Sequence, residues 1–210
     1  MGKAAANWAK AGGHSRAEAL EPDRRKEGRH VALLRVGVLH ARGHRDLCIV
    51  KNISANGLSA RAYRPVSVVD DVHIEFKSGE LLSGRVVWVR DWNLGITFPE
   101  SVDVEAVLAS RWVTEAQRRR NLPRIALSCA GQLKHAARSV KVTLQDISQG
   151  GARLRIGPSP LDIGEAVLTL PDLPPTAGVV RWIAQSQVGI SFNALLPFEQ
   201  LASWIHAKRD

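Results

Sequence analysis

The sequence predicts a mostly β protein made of two tandem domains, each ending in a helix. Three observations predict this class: an internal repeat at a spacing of 94 residues, short strand-like runs between turn residues, and an apolar helical stripe at the end of each repeat. About six closely spaced strands per copy favour a small antiparallel barrel or sandwich.

The repeat is carried by short matching stretches in the same order. Gly84–Trp88 (GRVVW) matches Gly178–Trp182 (GVVRW), and Leu94–Phe98 (LGITF) matches Val188–Phe192 (VGISF). Because there are only two copies, they predict a tandem pair of domains and not a solenoid.

Three segments follow from the repeat: an N-terminal arm at residues 1–23, a first domain at 24–117 and a second domain at 118–210. The arm has no central apolar stretch, which argues against a secretory signal, and we expect it to be mostly disordered. No apolar run approaches the roughly 20 residues that span a bilayer. We therefore expect a cytoplasmic protein without membrane insertion.

The strands are predicted from apolar runs that end at Gly, Asn and Asp clusters. In the first copy the runs lie at 31–39, 46–52, 58–62, 68–76 and 84–89, and the second copy repeats them between Ile125 and Phe192. Val72, Ile74 and Phe76 alternate with polar residues, which is the period of a half-buried strand.

A helix is predicted after each set of strands. Ser101 is the expected N-cap of the first helix, with acidic residues in its first turn, and Pro197 opens the second. The apolar stripes are Val104, Leu108 and Trp112 in the first helix and Leu201, Trp204 and Ile205 in the second.

Two polar motifs occur once in each copy, in the same order. The first is Arg-x-x-x-Arg, preceded by another arginine, and comprises Arg24, Arg25 and Arg29 in the first copy and Arg119, Arg120 and Arg124 in the second. The second is Asx-x-Ser-x-x-Gly, which comprises Asn52, Ser54 and Gly57, then Asp146, Ser148 and Gly151.

These residue types suit a guanine nucleotide with exposed phosphates. Guanidinium groups clamp anions, lie flat on bases and pair with guanine O6 and N7. A carboxylate or amide oxygen accepts from guanine N–H groups, a serine hydroxyl donates to a phosphate or orders the turn, and glycine lets a base approach the backbone. The net charge of +9 also favours anionic ligands.

Each motif alone has an ordinary explanation. Among 29 basic residues, an Arg-x-x-x-Arg match can be a solvated segment before a strand, and Asn52–Gly57 also reads as an Asx turn closing a hairpin. The signal comes from both motifs recurring in order in both copies.

Together with Trp88, Trp182 and the Gly-Ile-Thr/Ser-Phe stretches, the paired motifs resemble the PilZ domain over about residues 24–117 and 118–207. The resemblance implies two six-stranded antiparallel barrels, each with a C-terminal helix. It also implies a bacterial receptor for cyclic di-GMP, with no other cofactor, in which the Arg motif wraps onto the face that carries the Ser/Gly motif. The arginines would contact phosphates and guanines, and Asn52 and Asp146 would accept from a guanine edge.

Some positions depart from the family pattern or refine it. Asn52 stands where Asp is commoner and gives up a charge-assisted bond, while Pro123 stiffens the segment before Arg124. We therefore expect the second site to be the tighter one. Arg24 and Arg119 resemble the residue found in members that hold a stacked pair of ligands.

Other chemistry finds little support. The two cysteines, Cys48 and Cys129, are expected in strands as small core residues, and the histidines show no metal-ligand spacing. No histidine recurs beside Ser54 or Ser148, so we expect no enzyme activity and no metal. Trp88, Trp92 and Trp112 are expected to be packing residues and not stacking platforms, although Trp92 could be exposed and face a partner.

The sequence hypothesis is a receptor whose interdomain geometry changes when ligand orders the basic segment Arg118–Arg120 and whose signal passes to a protein target. Two alternatives stay open. One is a basic β-barrel that binds nucleic acid, which the low aromatic content of 5% disfavours. The other is a PilZ-like protein-interaction scaffold that no longer binds nucleotide.

Overall fold

Two closed six-stranded antiparallel barrels form the fold, so the predicted class is confirmed. The computed structural model describes residues 31–77, 79–109, 122–158 and 161–209. The first barrel comprises β1 (Val31–Ala41), β2 (His44–Ser54), β3 (Gly57–Arg61), β4 (Asp71–Glu75), β5 (Leu81–Arg90) and β6 (Asn93–Thr97). These strands close in the order β1-β2-β3-β6-β5-β4.

The core of the first barrel follows the inward side of each strand. Val50, Ile74 and Phe76 are completely buried in it. The apolar run predicted at 68–76 yields a shorter strand, because Val68 and Val69 form an exposed turn before β4 begins. A run of apolar residues thus marked the strand but not its first residue.

The second barrel repeats this architecture with its own core. Its strands are β7 (Ile125–His135), β8 (Arg138–Ser148), β9 (Gly151–Ile156), β10 (Gly164–Thr169), β11 (Thr176–Ala184) and β12 (Gln187–Phe192), closing in the order β10-β11-β12-β9-β8-β7. The ladders of the two barrels match at the spacing of the sequence repeat: Asn52 lies opposite Ser59, and Asp146 lies opposite Arg153. Equivalent positions in the two barrels can therefore be compared one by one.

One helix follows each barrel. Helix α1 (Val104–Ala109) is capped by Asp103, whose Oδ1 accepts from the backbone N–H groups of Glu105 at 2.9 Å and Ala106 at 3.1 Å. The prediction of Ser101 as the N-cap is wrong, since an N-cap directly precedes the first helical residue. Val104 and Leu108 pack against the first core as predicted, and Trp112 lies outside the described residues.

Helix α2 (Phe198–Ala207) begins after Pro197 and packs against the core of the second barrel. Its predicted stripe of Leu201, Trp204 and Ile205 is buried, and the Trp204 indole N–H donates to the carbonyl of Pro171 at 2.7 Å. No helix of the described residues is long and apolar enough to cross a membrane.

The first barrel packs against the second near α2. Val38 and Leu47 of the first barrel belong to the apolar core cluster of the second. The Tyr63 ring meets Phe198, the first residue of α2, edge to face with 5.3 Å between ring centroids. Apolar contact between the barrels therefore continues the core of the second barrel into the first.

An ionic cluster lies at the same junction. Arg209, just beyond α2, donates to the carbonyl of Arg45 in the first barrel and to that of Ala126 in the second, the latter at 2.8 Å. The buried carboxylate of Asp46 lies 3.1 Å from Arg64 and 3.7 Å from Arg209. One side chain at the end of the described chain thus contacts both barrels.

Candidate functional site

A groove of about 980 Å³ opens on the outer face of the second barrel, within the ~300–1,000 Å³ usual for small-molecule sites. Strands β8, β9, β11 and β12 form its floor. Its polar and aromatic lining includes Arg124, Asp146, Arg153, Arg181 and Trp182. Of these, the sequence predicted Arg124 and Asp146 as ligand-binding residues.

A buried carboxylate organises the groove. Asp146, near the end of β8, accepts from Arg124 Nε on Oδ1 at 2.5 Å and from Arg153 Nε on Oδ2 at 2.7 Å. Arg124 directly precedes β7, and Arg153 lies opposite Asp146 on β9, so strand pairing brings the three side chains together. The Asp146 side chain is 10% exposed, whereas those of Arg124 and Arg153 are 40% and 46% exposed. The carboxylate therefore orients two guanidinium groups that still face the groove.

The Ser/Gly part of the motif builds the turn beneath this cluster. The buried Ser148 hydroxyl donates to the carbonyl of Gly151 at 3.3 Å. A Cβ on Gly151 would lie 2.4 Å from the carbonyl oxygen of Ile190 on β12. Of the two roles expected for serine, the structure shows ordering of the turn. The glycine permits close packing of β9 on β12.

Trp182 supplies an aromatic surface that the sequence did not assign to the site. A Cβ on Gly189 would lie 2.1 Å from Trp182 Nε1, so the indole rests directly on the backbone of β12. The residue is nevertheless 41% exposed. One side of the ring therefore packs on the barrel, and the rest faces the groove.

Two arginines of the groove were also missed. Arg153 enters the site only through the pairing of β8 with β9, and Arg181 is the extra residue at the irregularity between Val180 and Trp182 on β11. No local pattern marks either residue. For Trp182 a signal existed, because Trp88 and Trp182 precede Gly95 and Gly189 at the same spacing.

The first barrel has the same turn but different polar partners. Ser54 Oγ donates to the carbonyl of Gly57 at 3.1 Å, and a Cβ on Gly57 would lie 2.4 Å from the carbonyl oxygen of Ile96. Asn52 Oδ1 accepts from Ser59 Oγ at 2.8 Å. A neutral pair therefore occupies the place that the carboxylate and Arg153 occupy in the second barrel.

The tryptophans of the first barrel are partly exposed. Trp88 packs on Gly95, as predicted, but the residue is 44% exposed. Trp92 is 49% exposed, as the sequence allowed, in a hairpin turn where Asp91 and Trp92 have φ of 48° and 65°. This surface can contact a ligand or partner.

The two cysteines differ. Cys48 is completely buried, as predicted, and burial raises the pKa of its thiol to about 12. Cys129 is only half-buried, which corrects its prediction as a core residue. Its thiol packs against the second core and donates to the carbonyl of Ala130, the next residue of β7.

Most of the predicted Arg motif, namely Arg24, Arg25, Arg29, Arg119 and Arg120, lies outside the described residues. The described member of the motif is Arg124, and its charge acts on Lys77 of the first barrel. Burial lowers the pKa of Lys77, which follows β4, and the charge of Arg124 lowers it further.

Comparisons with known proteins give consistent matches. Solved structures similar to this chain include PlzA of Borreliella burgdorferi in complex with c-di-GMP (14% identity, 85% of this chain and 88% of that chain, TM-score 0.36). They also include MotI/DgrA, an inhibitor of motility from Bacillus subtilis (17%, 85% and 98%, 0.34), and YcgR of Escherichia coli in complex with c-di-GMP (14%, 82% and 82%, 0.32). A search of curated proteins found no significant match.

The family model of the PilZ domain matches residues 23–113 and again residues 117–206, which together make up most of the chain. Each match contains one barrel and the helix that follows it. The chain therefore belongs to the PilZ domain family and carries two copies of the domain in tandem.

Proposed function

We propose that this protein is a non-catalytic bacterial receptor for cyclic di-GMP, which binds in the groove of the second barrel and signals to a protein partner. The observation that carries the proposal is the cluster in which Asp146 holds the guanidinium groups of Arg124 and Arg153 at 2.5 and 2.7 Å. Cyclic di-GMP presents two guanines and two phosphates, and this cluster offers partners for both.

Each group of the groove has a defined role in the proposal. The guanidinium groups of Arg124 and Arg153 pair with phosphate oxygens or with guanine O6 and N7, and the exposed side of Trp182 stacks on a base. Asp146 keeps a second lone pair on each oxygen and can accept from guanine N–H groups. With Arg181 included, three arginines and one aspartate leave the groove with two positive charges, which match the two phosphates.

The other motif residues are placed on the ligand by sequence alone. Arg119 and Arg120 complete the Arg motif of the second copy, with Ser148 and Gly151 shaping the turn. For the first copy the sequence predicts Arg24, Arg25, Arg29, Asn52, Ser54 and Gly57. Whether each copy holds one ligand or a stacked pair follows from the stoichiometry of binding.

Signal output is assigned to the junction between the barrels. The strand pair β7–β8 carries Arg124 and Asp146 at the groove, and the carbonyl of Ala126 on the same pair accepts from Arg209. The charge of Arg124 also acts on Lys77 of the first barrel, whose pKa it lowers. A ligand whose phosphates draw Arg124 and whose guanine N–H groups draw Asp146 therefore acts on strands that hold the junction, and a partner reads the altered surface.

Calorimetric titration of cyclic di-GMP tests the proposal. We expect saturable binding by the wild type, strong loss with Arg124→Ala, and wild-type affinity with Arg138→Ala. The control residue is an exposed arginine at the opposite end of the same strand pair, where it faces His135. GTP should not compete at equal concentration. No heat and no thermal shift in the wild type would sink the receptor proposal and favour the scaffold.

Exposed tryptophans favour a second candidate function, the binding of single-stranded nucleic acid. Trp88, Trp92 and Trp182 are all more than 40% exposed on a protein of net charge +9, and single-stranded nucleic acids bind by stacking on such residues. A single-stranded oligonucleotide therefore belongs in the same titrations. Salt-sensitive binding of the oligonucleotide that survives Arg124→Ala, with no binding of cyclic di-GMP, would favour this alternative.

A further inference from the structure

We infer that the two PilZ domains are unequal, and that cyclic di-GMP is held by the second barrel alone. This inference rests on the proposed function and goes beyond it, since the duplicated motifs by themselves predict two sites. It follows from a comparison of the two barrels at positions that their matching ladders make equivalent.

The features that both barrels share belong to the scaffold. In both, the motif serine donates to the carbonyl of the motif glycine, at 3.1 Å for Ser54 and 3.3 Å for Ser148. In both, a tryptophan rests on a glycine of the last strand. Because these contacts lie within each barrel, their presence in the first barrel is explained by folding and does not indicate a ligand.

The charged groups that face the groove of the second barrel, Asp146, Arg153 and Arg181, are replaced by uncharged residues at the equivalent positions of the first. At the positions of Asp146 and Arg153 the first barrel has Asn52 and Ser59, which bond to each other at 2.8 Å. No charge therefore remains at this pair of positions, and the short serine side chain cannot extend over the face as Arg153 does. Among the described residues of the first barrel, the pair formed by Asp146 and Arg153 therefore has no charged counterpart.

The first barrel also has an apolar surface where the second barrel has an arginine. The extra residue of the β11 irregularity, Arg181, corresponds to Val87 in the matching irregularity of β5. Val87, Trp88 and Val89 are 50%, 44% and 40% exposed. A phosphate placed over Val87 would lose hydration without gaining a donor, and such desolvation opposes binding.

The strand register also separates the two Arg motifs. Val31 pairs with Ile53, and Ile125 pairs with Ile147, so these two positions are equivalent. Arg124 directly precedes Ile125 in the sequence, whereas His30 directly precedes Val31 and Arg29 comes one residue earlier. The second arginine of the first motif is thus offset by one residue from the place that Arg124 holds.

Substitutions that give the second barrel the residues of the first test the inference in the full-length chain. Arg153→Ser and Arg181→Val place the residues of the first barrel in the second, and their controls are Ser59→Ala and Val87→Ala. From the strength of hydrogen bonds to charged groups, we expect Arg153→Ser to weaken cyclic di-GMP binding roughly 10- to 100-fold. Arg181→Val should weaken it as well, and both controls should retain the wild-type affinity and stoichiometry.

The outcomes separate this inference from the proposed function. Circular dichroism and thermal melting verify that each variant is folded. If half of the wild-type stoichiometry survives Arg153→Ser at unchanged affinity, the inference is wrong while the receptor function stands. If the folded wild type binds no cyclic di-GMP, the receptor function fails and the inference fails with it.

Discussion

Replacing Arg209 with alanine should loosen the junction between the two barrels. The side chain donates to the carbonyl of Arg45 in the first barrel and to that of Ala126 in the second, and it lies 3.7 Å from the buried carboxylate of Asp46. These contacts are made by one residue and depend on both barrels being in place. Arg209→Ala therefore probes the docking of the barrels and leaves each separate core intact.

The magnitude follows from what is lost and what remains. A hydrogen bond to a charged group contributes about 1.5–3 kcal/mol when buried. The Arg209 side chain is 20% exposed, so water replaces part of the loss, and Asp46 keeps Arg64 at 3.1 Å. We expect the free energy of unfolding to fall by about 2 kcal/mol. For a chain of this size that corresponds to a Tm lower by about 4–8 °C.

Thermal melting of matched variants measures this effect. Lys208→Ala is the control, because it removes the same charge from the adjacent residue, whose contact is Asp172 within the second barrel. We expect the control to melt close to the wild type. Small-angle scattering of Arg209→Ala should also show a larger radius of gyration.

One result would refute the reasoning about the junction. If Arg209→Ala and Lys208→Ala melt at the same temperature and scatter alike, Arg209 does not stabilise the docking. The contact would then depend on apolar packing, namely Val38 and Leu47 against the second core and Tyr63 against Phe198.

Three further predictions concern a glycine of the groove and the two cysteines. Gly189→Ala places a Cβ 2.1 Å from Trp182 Nε1, so it should displace the indole, shift tryptophan fluorescence and weaken cyclic di-GMP binding. Gly157→Ala, where a Cβ meets nothing within 4 Å, should change none of these, and equal behaviour of the two variants would contradict the packing argument. In native protein at pH 8 a thiol reagent should label Cys129 well before Cys48, whose pKa burial raises to about 12. Above pH 9.0, the ordinary value, the unfolded chain releases the Cys48 proton that the folded chain retains, so this residue should lower the free energy of unfolding as pH rises; a flat dependence in wild type relative to Cys48→Ala would contradict it.

Much of the candidate site was predictable where it lies within one continuous stretch of chain. Asp146, Ser148 and Gly151 form one short motif, and Arg124 stands directly before a strand. The sequence left two roles for Ser148, donation to a phosphate and ordering of the turn, because the same local sequence allows both. The structure shows the second, a hydrogen bond to the carbonyl of Gly151. The exposure of Trp88 could not be predicted, because an apolar neighbourhood along the chain does not show which face of the barrel the ring occupies.

The tandem repeat, the strand-rich class and the apolar stripe of α2 could all be predicted from the sequence alone. These depend on the period of apolar residues and on turn residues, which are properties of neighbours along the chain. The sequence also supplied the family resemblance that the domain matches confirm.

Contacts between side chains on paired strands, by contrast, were visible only in the tertiary structure. Arg153 joins Asp146 through the register of β8 and β9, and Arg181 enters the groove at an irregularity of β11. The same register shows that Asn52 and Ser59 form a neutral pair in the first barrel. A shift of one residue would turn each of these side chains to the other face, so cross-strand sites depend on pairing that no local pattern encodes.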